Sequence, residues 1–221
     1  MQPIENPKRL LAELYFVNEF LGSFDSQNYF PTLEFEEITE EIKLLNIEGS
    51  FLEASSCLKL KKLTQTAIDA IQFVAQFKEY YATLIILTSK VPVNKDIIRK
   101  INKVFNKYGE IKDDATPELA EIRLKISTQQ KSISEQFRKE LKKYGSQDWL
   151  DAIQESVIDE KRVLAVKPAY RKRIEGVVLG QSKTGSIIFM EPDSMVRLNR
   201  GLQQLRDDER EETIKILRIL T

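Results

Sequence analysis

Two long segments with helical periodicity constrain this chain more than any other feature. No glycine or proline occurs from Glu118 to Tyr144, and a second long periodic segment follows Pro192. In both, apolar side chains recur at alternating spacings of three and four residues, as in helices that pack along a seam. The sequence therefore predicts a mainly α fold with two long helices, at 116–150 and 193–221, paired as an antiparallel coiled coil.

The sequence also makes predictions about the start of the first long helix and about the middle of the pair. Thr116 and Pro117 fit the N-cap and the first position of a helix. Polar side chains interrupt the seams at Gln129, Glu209 and Glu212. Since polar seam positions weaken a coiled coil, a water-exposed stretch is expected midway along the pair.

A segment of different composition lies between the two long helices. Short β-branched runs at 162–167, 176–179 and 186–190 are bounded by glycine and proline, which predicts a small antiparallel sheet. Val157 and Ile158 are placed to add a fourth strand. The sequence from Lys183 to Gly185 fits a short hairpin loop with glycine at the positive-φ position. Trp149, Leu150 and Ile153 are interpreted as core at the junction of helix and sheet.

The first half of the chain reads as shorter amphipathic helices. The sequence Ser50-Phe51-Leu52-Glu53 fits a capping box, in which serine and glutamate each satisfy a backbone N–H of the first turn. Apolar periodicity and these boundary residues predict helices at 7–21, 31–45, 50–74 and 94–107.

Composition narrows the chemistry that the chain can perform. There is no histidine and only one cysteine, so a His-containing triad, a Cys/His zinc site and an internal disulfide are all excluded. The acidic residues Glu36, Glu37, Glu40 and Glu41 are interpreted as a solvated helix face rather than metal ligands, and no catalytic residue is predicted. No apolar run is long enough to span a membrane, and the chain is expected to be cytoplasmic.

Charge is unevenly distributed even though the totals balance at 34 basic and 34 acidic residues. Residues 1–50 hold ten acidic and three basic side chains, whereas residues 161–183 hold seven basic side chains and one acidic one. Two interpretations follow: the basic segment neutralises nucleic-acid phosphates, or it keeps a small sheet soluble and protects its edges. The candidate nucleic-acid-binding residues are Arg162, Lys167, Arg171, Lys172, Arg173 and Lys183.

The sequence from Gly180 to Ser186 imitates the glycine spacing of a phosphate-binding P-loop. Ser186 stands where that motif requires lysine, and an apolar strand is predicted next instead of a helix. ATP binding is therefore not predicted here, and no cofactor is expected for these 221 residues.

Three ordered blocks resemble one known family. The blocks run from Asp113 to Leu119, from Asp159 to Arg171 and from Gly185 to Pro192, with a helical spacer between the first two. They resemble the middle of the MutS-two branch of the bacterial MutS-like ATPases, strongly from residue 109 onward and more loosely from residue 8 to residue 108.

The resemblance implies a division into three parts. Residues 1–115 would be a helical core domain, 116–150 and 193–221 the lever helices, and 151–192 a small β clamp. Members of that branch continue into an ATPase domain that binds ATP and Mg, and usually into a Smr nuclease-type domain. Neither is present, so the sequence is expected to be a fragment that does not hydrolyse ATP by itself, although the full-length protein would be a DNA-dependent ATPase.

The resemblance also implies partners. The family is associated with branched or recombination-intermediate DNA and with suppression of homologous recombination, and some members with stalled or collided ribosomes; both roles use a homodimeric clamp. Three hypotheses result: a module that grips branched or duplex DNA through its backbone, a clamp that binds the ribosome, and a coiled-coil dimerisation scaffold that binds no nucleic acid.

Overall fold

The fold is mainly helical with one small antiparallel sheet, as predicted. The computed structural model describes residues 6–24 and 29–221, so residues 1–5 and 25–28 of the predicted core domain lie outside the described residues. Helices account for 59% of the structure. The chain divides into two compact units: unit 1 comprises Met1–Ala115 and Lys215–Thr221, and unit 2 comprises Thr116–Ile214.

The described α-helices follow the predicted order except for α4, which was not predicted. They are α1 (Pro7–Gly22), α2 (Thr39–Leu45), α3 (Ala54–Gln76), α4 (Ala82–Thr88), α5 (Lys95–Val104), α6 (Pro117–Gly145) and α7 (Asp193–Leu220). The sheet lies between α6 and α7 in the chain. Its strands are β1 (Leu150–Ile158), β2 (Lys161–Val166), β3 (Gly176–Gln181) and β4 (Ile188–Pro192).

Two predicted helix starts in unit 1 are wrong. Residues 31–38 are not helical, because this segment is held alongside α3 instead: Thr66 Oγ1 donates to the carbonyl oxygen of Glu34 at 2.9 Å. The capping box also does not form. The Ser50 hydroxyl donates to the carbonyl oxygen of Leu44, and α3 begins after Glu53, whose side chain caps no backbone N–H.

The helix predicted at 94–107 is shorter than expected. Asn94 caps its start by accepting a hydrogen bond from the Asp96 N–H at 3.0 Å. It ends at Val104, because Phe105 leaves the helix and pairs with Ile111 in an isolated β-bridge. The core of unit 1 lies between these elements and the last turns of α7; its buried members are Leu52, Cys57, Ile101, Phe105 and Leu217.

A carboxylate fixes α1 against α4 in unit 1. The Glu19 side chain accepts hydrogen bonds from the first-turn N–H groups of Thr83, at 2.8 and 3.0 Å, and Leu84, at 2.8 Å. Partial burial raises the pKa of Glu19, but the hydrogen bonds from Thr83 and Leu84 outweigh it and hold that pKa below its ordinary value. The ionised carboxylate is therefore the form that stabilises this helix contact.

The stability of unit 1 is expected to fall in acid through Glu19. Because the pKa is depressed in the folded state, the contribution is complete above the unfolded pKa and is lost as pH falls through the folded pKa. Thermal unfolding at pH values between about 6 and 3 should show a smaller loss on acidification for Glu19→Gln than for the parent. Glu13→Gln, which alters an exposed carboxylate on the same helix, is the control and should follow the parent. Identical acid profiles for Glu19→Gln and the parent would contradict the assignment.

In unit 2, α6 begins as predicted and runs antiparallel to α7. Thr116 Oγ1 accepts a hydrogen bond from the Leu119 N–H at 3.1 Å, which confirms the N-cap. Contacts between the helices pair rising numbers on α6 with falling numbers on α7. They are Arg123 with Glu209 at 2.8 Å, Gln129 with the carbonyl oxygen of Leu198 at 2.8 Å, and Glu140 with Ser194 at 2.6 Å.

The polar seam positions are not the water-exposed stretch that was expected. Glu212 is only 9% exposed, and its carboxylate accepts a hydrogen bond from the Thr116 hydroxyl at 3.0 Å. Gln129 and Glu209 are half-buried and bond across to α7 and α6 respectively. These side chains are not water-exposed, because each has a hydrogen-bond partner on the other helix or at its N-cap.

The sheet has the strand order β1-β2-β4-β3, with antiparallel neighbours. The suggested fourth strand is confirmed, but it begins at Leu150 and carries an irregularity between Leu150 and Glu155 that obscured its alternation. Gly176 in β3 is required by packing, since a Cβ there would lie 2.4 Å from the backbone oxygen of Glu191.

One face of the sheet packs against α6 to form the core of unit 2. The buried cluster contains three residues of α6: Ile133, Phe137 and Tyr144. The sheet contributes Leu150, Leu164, Val166 and Met190. The connection from β2 to β3 contributes Ile174, and α7 contributes Met195. Phe137 is completely buried. This packing fixes the sheet, and with it the loops that carry the basic residues.

Candidate nucleic-acid interface

Strand register brings two of the basic loops to one end of the sheet. Val166, the last residue of β2, pairs with Ile188, the first residue of β4, and Gln181, the last residue of β3, pairs with the same residue. Lys167 and the hairpin of Lys183 therefore lie at the same end. The connection from β2 to β3 begins there with a 3₁₀ helix, Pro168–Arg173, which carries three more candidates, Arg171, Lys172 and Arg173. The sixth, Arg162, lies within β2.

Two of the six candidate residues are engaged with carboxylates inside unit 2. Arg162 donates from Nε to Glu155 Oε2 at 3.2 Å, and its guanidinium carbon lies 4.4 Å from the ring centroid of Phe137. Lys167 Nζ lies 2.8 Å from Asp148 Oδ1 and 3.0 Å from the Asp148 carbonyl oxygen. The hydrogen bond to Asp148 raises the pKa of Lys167.

A third cation of the basic segment also has an internal partner. Lys161 Nζ lies 3.3 Å from Glu191 Oε2, and Glu191 is 2% exposed. Asn199 of α7 donates to the other oxygen of Glu191 at 2.7 Å. Three of the seven positive charges counted between residues 161 and 183 are thus balanced within the unit.

The other four cations are exposed and form the candidate interface. In the part of the chain that the structure describes, no carboxylate lies at ion-pair distance from them. We call them the exposed cations: Arg171, Lys172, Arg173 and Lys183. Side chains of this kind can contact phosphate without first breaking an internal ion pair.

An aromatic stack anchors the 3₁₀ helix that carries three of the exposed cations. Tyr170 stacks on Trp149 with ring centroids 6.0 Å apart and an interplanar angle of 16°, and the Arg173 guanidinium carbon lies 5.9 Å from the Trp149 ring. Tyr144 stacks on Trp149 at 6.0 Å and 28°. Ile174, directly after the helix, is buried. The basic side chains are therefore exposed, while the Trp149 stack and the buried Ile174 hold the backbone of their helix in place.

The junction prediction is confirmed for two residues and wrong for the third. Trp149 packs against the unit 2 core and Leu150 is buried within it, whereas Ile153 is 54% exposed. In the β3–β4 hairpin, Gly185 has φ +70°, as predicted, and Lys183 is exposed.

Sequence reasoning missed the ion pairs of Arg162 and Lys167. The signal that could have found them is the turn at Asp159 and Glu160, which joins β1 to β2 and places Glu155 opposite β2. Only Val157 and Ile158 of β1 were recognised from the sequence. Both turn residues have positive φ, 47° and 61°, a conformation that is typical of such a tight turn and that glycine normally occupies.

The described ranges, 6–24 and 29–221, contain no group of three or more His, Cys, Asp or Glu side chains placed to hold a metal ion. They also contain no helix with the length and apolar character needed to cross a membrane.

Among the acidic residues Glu36, Glu37, Glu40 and Glu41, Glu41 is buried. It lies 3.5 Å from Lys59 and within hydrogen-bond distance of Ser56. Glu40 pairs with Lys43.

The fold and the candidate interface define a mainly helical protein with a small β module that exposes cations on its loops. No family model matches the chain. It is, however, 28% identical to the Endonuclease MutS2 of Streptococcus equi subsp. equi over 225 residues, covering 100% of this chain and 28% of that relative. It is 27% identical to the Endonuclease MutS2 of Caldicellulosiruptor bescii over 215 residues, covering 97% and 27%.

A third relative has the same name. The Endonuclease MutS2 of Lactococcus lactis subsp. lactis is 29% identical over 187 residues, covering 83% of this chain and 23% of the relative. The chain is therefore related to the MutS2 proteins, which confirms the resemblance seen in its three sequence blocks. It spans between a quarter and a third of the first of these relatives.

Proposed function

We propose that unit 2 is the lever and clamp of a MutS-like protein and that its sheet grips nucleic acid through the sugar-phosphate backbone. The observation that carries this proposal is the separation of the basic residues into two sets. Arg162 and Lys167 hold the unit together through Glu155 and Asp148, whereas the exposed cations face solvent. Backbone contacts by lysine and arginine provide affinity without reading base sequence.

The relatives support nucleic acid as the ligand. Their name, Endonuclease MutS2, denotes an enzyme that cuts nucleic acid. For this chain, branched or recombination-intermediate DNA is the proposed target, and the module binds rather than cuts it. ATP and Mg would act in an ATPase domain of the full-length homodimeric protein.

The long helices would transmit motion between clamp and core. The contacts of Arg123 with Glu209, Gln129 with Leu198, and Glu140 with Ser194 fix α6 and α7 antiparallel at three levels. This arrangement supports the proposed coiled-coil lever, because sliding one helix along the other would break all three contacts together.

The strength of binding is expected to depend steeply on salt. Four phosphate contacts should give a slope of about −3.6 for log K against log salt on duplex DNA, because each contact releases bound counterions. Fluorescence anisotropy with labelled duplex and four-way-junction DNA between about 50 and 200 mM salt measures this slope. Binding that is absent at the lowest salt, together with self-association in the ultracentrifuge, would favour the dimerisation scaffold instead.

The ribosome hypothesis uses the same surface, because ribosomal RNA presents the same phosphate groups. Cosedimentation with paired ribosomes, compared at the same salt with affinity for four-way junctions, distinguishes the two targets. Tighter binding to paired ribosomes would replace DNA as the proposed ligand but leave the exposed cations as the contact surface.

A further inference from the structure

Three hydroxyl side chains meet in the hairpin that connects β3 to β4. Thr184 Oγ1 and Ser186 Oγ are 2.8 Å apart. Ser182 Oγ lies 3.3 Å from Ser186 Oγ and 3.5 Å from Thr184 Oγ1. We call these three oxygens the hydroxyl triangle. Lys183 lies within the same turn and is one of the exposed cations.

The hydroxyl triangle has protons to donate but no acceptor outside itself in the described chain. Each hydroxyl carries one proton, and its hydrogen-bond neighbours are the other two hydroxyls. The one further contact, from the Ile187 N–H to Ser182 Oγ at 3.1 Å, uses Ser182 as an acceptor. These protons are shared within the hydroxyl triangle, and rotation of a hydroxyl can redirect its proton to a ligand. A charged acceptor suits this set, because its hydrogen bonds are stronger than those between neutral hydroxyls.

The backbone of the turn adds donors of the same kind. The N–H groups of Ser182 and Gly185 are used within the hairpin, donating to Ile187 O and Ser182 O, both at 2.9 Å. The N–H groups of Lys183, Thr184 and Ser186 make no hydrogen bond to any described residue. Two of them, those of Lys183 and Thr184, are successive, and successive unused N–H groups in a turn are a recurrent feature of anion-binding loops.

The dimensions of the hydroxyl triangle suit one anionic oxygen. With sides of 2.8, 3.3 and 3.5 Å, an oxygen placed above the centre can lie about 2.7 Å from all three hydroxyls, an ordinary hydrogen-bond length. Lys183 adds one positive charge to the same turn, and no carboxylate of the described residues lies at ion-pair distance from it. The turn thus combines neutral donors, a compact geometry and one cation.

We propose that this hairpin is a cradle for a single phosphate group of the nucleic-acid backbone. A non-bridging phosphate oxygen accepts hydrogen bonds from Ser182, Thr184 and Ser186, and Lys183 neutralises its charge. This inference rests on the proposed function and names one of its contacts. It differs from a nucleotide-binding P-loop, because the motif lysine is absent and a strand follows the turn.

The cradle predicts a loss of affinity that does not involve charge. The triple variant Ser182→Ala, Thr184→Ala and Ser186→Ala should bind duplex DNA about 10- to 100-fold more weakly at fixed salt, because several hydrogen bonds to a charged oxygen are lost. Its slope of log K against log salt should equal that of the parent, since no cation is removed. Lys183→Ala should instead flatten the slope by about 0.9.

Two further variants make the experiment decisive. The double variant Thr184→Ala and Ser186→Ala keeps the bond from Ile187 to Ser182, so it tests the cradle even if the triple variant is loosened. Ser127→Ala with Thr128→Ala, which alters exposed hydroxyls on α6, is the matched control and should bind like the parent. Circular dichroism establishes that each variant is folded.

The outcomes separate this inference from the proposed function. If the folded double and triple variants bind like the parent, while replacement of the exposed cations abolishes binding, the cradle is wrong and the proposed function stands. If the parent shows no salt-dependent binding, the proposed function fails and the cradle fails with it.

Discussion

Replacing Arg171, Lys172, Arg173 and Lys183 together with glutamate is expected to abolish nucleic-acid binding. These exposed cations have no carboxylate partner among the described residues, so their reversal breaks no ion pair of the fold. Losing about four phosphate contacts corresponds to about 10²- to 10³-fold in affinity at low salt, and the new negative charges repel the backbone further. Anisotropy titrations with duplex and junction DNA measure the effect.

The matched control reverses the same number of positive charges in unit 1. Unit 1 has solvent-exposed lysines at four suitable positions, Lys78, Lys90, Lys100 and Lys107. Their replacement with glutamate changes the net charge by the same amount. This control should retain the salt slope of the parent and most of its affinity, apart from the effect of net charge. If both variants lose binding to the same extent, contact is not localised to the sheet and the assignment is wrong.

Replacing Phe137 with alanine is expected to produce the largest loss of stability in unit 2. Its side chain is 0% exposed at the contact of α6 with the sheet, and the Arg162 guanidinium lies over its ring. Truncation of a buried phenylalanine costs about 3–5 kcal/mol of unfolding free energy through lost burial and the cavity left behind. Loss of the cation–π contact adds to this. Urea titration followed by circular dichroism measures the difference.

The control for this prediction lies on the same helix. Leu124 is 68% exposed, so Leu124→Ala should change the unfolding free energy by less than about 0.5 kcal/mol. A Phe137→Ala protein with the urea midpoint of the parent would mean that the sheet does not depend on α6 for its core. Because Arg162 is tied to both Phe137 and Glu155, the variant should also loosen the start of β2.

Local sequence signals predicted those helix boundaries and strands that depend only on residues close together in the chain. Thr116 and Pro117 gave the start of α6, and the β-branched runs gave three of the four strands. Prediction failed where a polar group bonds to a residue outside the helical turn that the local pattern assigned to it. Ser50 bonds to Leu44 instead of capping α3, and residue Glu34 bonds to Thr66 instead of joining a helix.

The candidate interface was predictable in composition but not in detail. Counting charges identified the segment 161–183 as basic. It did not show that Lys161, Arg162 and Lys167 are paired, because their partners come from β4, from β1 and from the turn before β1. Strand register is the missing information, since it depends on the turn at Asp159 and Glu160 and on the irregularity in β1.

The stack around Trp149 gives the chain a built-in optical probe. Trp149 is the only tryptophan in the sequence, and it lies between Tyr144 and Tyr170 in unit 2, close to Arg173. Its intrinsic emission therefore reports on unit 2 alone, whereas far-ultraviolet ellipticity is dominated by helices of both units. Comparing the two signals during denaturation tells whether the units unfold together. If DNA contacts the basic 3₁₀ helix as proposed, a change in this emission on addition of DNA would follow binding without any label.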